Sequence, residues 1–199
     1  MLFIRFLVLV LILVFFVLAL IGTLTLPVYS RQIKDFDQDG KIRVSLWYID
    51  VSKVELSGAN ATVVPTSEAV RINYAGCSEF RATFRAMQAF SIACTIFSFY
   101  AFLTSCLQCF CRLKAKLPLF LFVLLAFISE LLLVIIGGMA YATEFCKSVD
   151  HSANLTSVVF KGAGYQLDRG YIIQIVTTVG LLITLILIPF TQELWCGKS

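Results

Sequence analysis

The stretch LPLFLFVLLAFISELLLVIIGGMAY, residues 117–141, decides the fold. It runs 25 residues with one charged side chain, Glu130, near its middle. As a helix rising about 1.5 Å per residue it exceeds the ~30 Å hydrocarbon thickness of a bilayer. A buried carboxylate costs about 2.5–3.5 kcal/mol on insertion scales. Against it stand sixteen Leu, Ile, Val or Phe residues, each contributing up to about 0.3–0.6 kcal/mol. Insertion wins, and Glu130 belongs on a face turned to other helices rather than to lipid.

Three further apolar runs lie outward from it, over 6–26, 86–110 and 171–190. Hydrophobic residues make up 59% of the 199-residue chain, far above soluble domains. The chain is therefore predicted to be a single four-span membrane domain. The segments 29–85 and 142–170 are its two extracellular loops. The first run is longer than a secretory signal core, and no clear small-x-small cleavage site follows it, so it reads as a retained anchor. Between the second and third runs sit Arg112, Lys114 and Lys116 with no acid among them. Such a basic knot belongs on the cytoplasmic side, which places both termini there too. Asn60-Ala61-Thr62 and Asn154-Leu155-Thr156 are glycosylation sequons, one in each long loop, consistent with a shared outer face.

The first loop carries strand signals. Ile42, Val44, Leu46 and Tyr48 alternate with Arg43, Ser45 and Trp47, the period of a pleated strand. The phase slips at Trp47-Tyr48, which predicts a bulge. Thr62-Val63-Val64 and Val70-Arg71-Ile72-Asn73-Tyr74 are shorter candidates. A small antiparallel sheet of three or four strands results, too small to stand alone. Packing on the bundle or a disulfide must support it.

Seven cysteines are present. Cys77 and Cys146 are the two in the long loops, where an oxidising exterior favours a bridge between them; two free or intermolecular thiols are the alternative. Cys106, Cys109 and Cys111 flank the basic knot and are candidates for S-palmitoylation, or are small packing residues. Cys196 beside Trp195 is a weaker lipidation candidate.

Asp35, Asp37, Asp39 and Gly40 open like a calcium loop, but Leu46 stands where the closing Glu is required. A solvated turn is the simpler reading. The single histidine, His151, lies in a polar loop beside Asp150. No metal motif, phosphate loop or nucleophile elbow is present, so neither catalysis nor a cofactor is expected. The knot is too short for nucleic acid and suits anionic lipid.

Several elements together resemble one family, the amastins, four-span surface glycoproteins of trypanosomatid parasites. Phe16-Val17-Leu18-Ala19-Leu20-Ile21-Gly22-Thr23 is similar to the end of their first span. Val44-Ser45-Leu46-Trp47 resembles their signature of an aliphatic, a Ser or Thr, an aliphatic and an aromatic. Cys77, Phe84-Arg85 and Ala86-Met87-Gln88-Ala89-Phe90 resemble the approach to their second span, and Gly162-Ala163-Gly164 that to the fourth. Arg43 and Lys53 stand where the signature usually has cysteines, and Tyr48 where it has glycine, which marks a divergent member. A more distant likeness is to the claudins, whose first loop also carries a Leu-Trp element on a small sheet; their two cysteines after the Trp are missing here.

The expected architecture is thus an all-α membrane protein, a four-transmembrane-helix bundle with a small antiparallel β-sheet in the first extracellular loop. The resemblance implies a plasma-membrane glycoprotein acting in surface contact or adhesion at the host–parasite interface. Leu46, Trp47 and Tyr48 are its expected contact residues, and a second copy or another surface protein its partner. Two rivals remain: a small transporter or channel subunit using Glu130, and a claudin-like junction or scaffold protein. In the bundle, Ser98, Thr177, Thr178 or Thr184 are the expected hydrogen-bond partners of Glu130.

Overall fold

The computed structural model describes residues 2–35, 38–55, 70–71, 78–110, 116–145, 158–162 and 164–190. In chain order the elements are α1 (Leu2–Leu24), β1 (Tyr29–Asp35), β2 (Gln38–Val44), β3 (Tyr48–Glu55), β4 (Val70–Arg71), α2 (Ser78–Phe110), α3 (Lys116–Ala142), β5 (Glu144–Phe145), β6 (Val158–Val159), β7 (Gln166–Leu167) and α4 (Arg169–Phe190). All four helices are long and apolar enough to cross a membrane. The chain divides into two compact units.

The helical unit comprises Met1–Thr23, Ala89–Val134 and Ile173–Ser199. Its interior holds two apolar clusters. One gathers Val8, Ile12, Ala101, Leu119, Val123 and Ile188. The other is built from Ala19, Cys94, Ala126 and Leu181, with Phe15, Phe97 and Phe127 against it. Small residues recur at the contacts because hydrocarbon offers no hydrophobic drive between helices, so close approach and dispersion must supply the cohesion. Gly180 illustrates this: a Cβ there would overlap the Phe15 ring. Phe6, Val14, Ile96, Leu107, Leu121 and Ile186 are exposed. An apolar belt of that extent suits lipid, not water.

The sheet unit comprises Leu24–Gln88 and Ile135–Ile172. Its main sheet is antiparallel, with spatial order β4-β3-β2-β1-β7; β5 and β6 pair separately. Three features depart from the sequence reading. The sheet is not confined to the first loop: β7, from the second, joins the edge of β1 through Tyr29 opposite Leu167 and Ser30 opposite Gln166. The phase slip at Trp47 is no bulge but a chain reversal, since Ser45, Leu46 and Trp47 form the turn between β2 and β3. Leu46 is nevertheless buried, which is why the alternation runs on through the turn. Helix α2 begins eight residues earlier than the apolar run, at Ser78 rather than Ala86. Its polar opening turns still place Phe80 and Phe84 on the buried side.

Of the stretch that opened like a calcium loop, Asp35 ends β1 opposite Gln38, and Asp39 in β2 lies opposite Lys34; Asp37 lies outside the described residues. Thr62-Val63-Val64 and Ile72-Asn73-Tyr74 lie outside the described residues.

Candidate functional site

The Ser45–Trp47 turn is fixed from three directions. The Ser45 N–H donates to the Tyr48 carbonyl at 2.9 Å. The Ser45 hydroxyl donates to that same carbonyl at 2.9 Å and accepts from the Tyr48 N–H at 3.1 Å and the Trp47 N–H at 3.4 Å. From α2, Gln88 Nε2 donates to the Leu46 carbonyl at 2.6 Å. A serine or threonine suits this position because a short hydroxyl both donates and accepts within its own turn. Leu46 is fully buried, while Trp47 and Tyr48 are half-buried. The motif is therefore one apolar anchor and a rigid mount for an indole.

The same unit holds an aromatic core. Phe160 stacks on Tyr29 at 4.6 Å and meets Tyr165 edge-on at 5.2 Å. Phe80 stacks on Phe84 at 4.5 Å and meets Phe145 edge-on at 5.5 Å. Such pairs contribute about 0.5–1.5 kcal/mol beyond area burial. Tyr29 donates its hydroxyl to the Gly137 carbonyl at 2.6 Å, and burial, reinforced by Tyr171, pushes its phenol far above the usual range. The tyrosine stays neutral and donating.

Asp168 caps α4, its Oδ1 accepting from the Arg169 N–H at 2.7 Å. Burial alone would raise this carboxyl. The Arg169 N–H, the Ser30 hydroxyl and the charges of Lys41 and Arg169 outweigh it and hold the group below its ordinary value. Next to it, the Gly170 N–H donates to the Pro27 carbonyl at 3.0 Å. A Cβ on Gly170 would stand 2.5 Å from that oxygen, so only glycine admits the approach.

In the helical unit Glu130 is 2% exposed. Its partner is not one of the hydroxyls expected from sequence but the Cys94 thiol, itself 3.9 Å from the Ser98 hydroxyl. Thr178 and Thr184 instead donate to carbonyls of their own helix, Gln174 O and Gly180 O, each at 2.8 Å. This back-bonding satisfies a hydroxyl locally and removes it from competition. Cys94 escaped notice because a thiol inside an apolar run reads as a small packing residue.

The family model described as amastin surface glycoprotein matches residues 13–188. The chain belongs to the amastin family. No curated protein matches it. Membership makes it a membrane surface protein, and the stretch Val44-Ser45-Leu46-Trp47, which resembles the family signature, has a structural meaning: aliphatic strand end, turn-building hydroxyl, buried anchor, half-buried aromatic.

Other residues singled out in this amastin fall differently. Cys106 and Cys109 are free and partly buried, one turn apart near the end of α2. Cys111, Cys77, Cys146, Cys196, Asn60, Asn154, His151, Arg112 and Lys114 lie outside the described residues. Among the described residues no His, Cys, Asp and Glu group suits a metal. Sequence reasoning missed the aromatic core. Its signal was the pair Phe80 and Phe84, one helical turn apart ahead of the apolar run.

Proposed function

We propose that this amastin-family protein acts in the plasma membrane by contact, its sheet unit facing outward and its termini the cytoplasm, as the basic knot and paired sequons support. The observation that carries the reading is the Trp47 mount. An aromatic side chain held half-buried by a turn with five hydrogen bonds loses little conformational freedom on binding, the property of an interaction hot spot. Tyr48 adjoins it, and Leu46 serves as the anchor beneath rather than as contact surface. The partner is another surface protein or a second copy at the host–parasite interface, and the role is adhesive rather than enzymatic. Glycans at Asn60 and Asn154, a Cys77–Cys146 bridge and acylation at Cys106, Cys109 and Cys111 complete this picture.

Aggregation of cells displaying the protein tests it. Trp47→Ala should abolish the gain in adhesion while leaving surface expression intact, because the turn bonds come from Ser45 and Gln88. Full adhesion by that variant would refute the reading. A deletion through this hairpin would be uninformative, since it removes β2 and β3 together.

A further inference from the structure

Four helices place a polar residue one turn from the same small-residue cluster of the helical unit. Ala19, Cys94, Ala126 and Leu181 form that cluster. Thr23 follows Ala19 by four residues, and Glu130 follows Ala126 by four. Ser91 precedes Cys94 by three, and Thr177 precedes Leu181 by four. Helix pairs at these spacings share a face, and α1 and α3 run opposite in chain sense to α2 and α4. The Thr23 and Ser91 hydroxyls meet at 2.5 Å, which fixes two of the four at one level. All four residues are buried, as is Gln174, one turn beyond Thr177.

Two hydroxyl protons of this layer are spoken for. The Thr23 hydroxyl donates to the Ala19 carbonyl at 2.7 Å, so its bond with Ser91 uses the Ser91 proton. Both oxygens are then left with lone pairs only. An ionised Glu130 is acceptor-only as well. The Thr177 hydroxyl and both amide atoms of Gln174 are buried without a hydrogen-bond partner, and Gln174 is 2% exposed. Buried polar groups are almost always satisfied, and an intramembrane acid marks a functional site by default. The Thr23, Ser91, Thr177 and Glu130 oxygens, with a single negative charge among them, fit a hard monovalent cation.

We propose that Glu130, Ser91, Thr23 and Thr177, with Gln174 at the rim, form an intramembrane site for one alkali cation of the Na+ class. The ion neutralises Glu130 and takes up the unpartnered Thr177 oxygen. This site is independent of the Trp47 contact and stands or falls separately from it.

The test uses the purified full-length protein in detergent, with NaCl against choline chloride at equal ionic strength. Thermal unfolding and radiolabelled Na+ binding are the readouts. Na+ should raise the unfolding midpoint saturably, as a ligand of the folded state does. Glu130→Gln should abolish both signals. Thr177→Val, which keeps the volume and breaks no existing hydrogen bond, should be at least as stable as the parent in choline. It should nevertheless need about tenfold more Na+, the loss expected for one oxygen ligand to a charge. Equal midpoints in both salts, or an unchanged Na+ response in Thr177→Val, would overturn the site. The second variant decides the matter even if Glu130→Gln fails to fold.

Discussion

In the sheet unit Phe160 lies against Tyr29, Phe80, Phe84, Phe145 and Tyr165. At the centre of one helical-unit cluster stand Ala19, Cys94, Ala126 and Leu181. The same chain thus centres one core on a large ring, and the other on smaller side chains with Phe15, Phe97 and Phe127 packed around them. Water explains the first choice, because each ring removed from it releases a large hydrophobic free energy. Hydrocarbon explains the second. Lipid tails are as apolar as leucine, so helices gain by approaching closely and by pairing polar groups. Tyrosine hydroxyls divide in the same spirit. Tyr29 and Tyr141 are aromatic in body but hydrogen-bonded at the tip, to Gly137 O and Tyr165 O, as rings at a wet boundary tend to be.

Substitutions can break this contrast at its strongest point first. Phe160→Ala should cost the sheet unit about 3–5 kcal/mol, as ring deletions in cores do. Hydrogen exchange over β1 and β7 should rise sharply while the helices of the other unit keep their protection. Gly170→Ala comes next, at about 1–3 kcal/mol, because the obstructing atom is the Pro27 backbone oxygen and cannot swing aside; the midpoint of thermal unfolding reads it. Ser91→Ala removes the bond to Thr23 inside the helical unit and should cost only about 0.6 kcal/mol, the typical worth of a polar pair between membrane helices. A loss as large as that of Phe160→Ala would mean that the helical unit does not rest on close packing.

The smallest effect is electrostatic. Asp168 has a folded-state value below its unfolded one, so its contribution is present at neutral pH and above its ordinary value of about 3.9. It is lost as pH falls through the lower folded value. Exchange of the first α4 amides should accelerate only in that acid window, and Asp168→Asn should flatten the response while keeping a capping oxygen.

Much of this architecture was readable from residues alone, and the failures have physical causes. The four spans follow from hydropathy, which needs no partner to be recognised. Strand β2 announced itself by alternation. Strand β1 did not, because Tyr29-Ser30-Arg31-Gln32 mixes one buried ring with polar neighbours, and its pairing with β2 and β7 defines it. Two-residue β7 carries no periodic signal at all. The Trp47 slip was visible as a break in phase, yet a bulge and a reversal break phase alike; only the Ser45 hydrogen bonds separate them. Glu130 was found as a buried acid, whereas its partner was hidden by the apolar habit of a thiol. Phe145 and Phe160 stand in segments without a repeat, so the aromatic core emerged only in three dimensions.

Four spans leave the segments after α1 and before α4 on a single face, as the pairing of β1 with β7 requires. Epitope tags inserted after Asn60 and after Asn154, probed in intact cells together with protease access to the segment 112–116, test this most directly. Both tags should be reached from outside, and the basic segment should be cut only after the membrane is opened. Tags reached from opposite faces, or a basic segment cleaved in intact cells, would contradict the account.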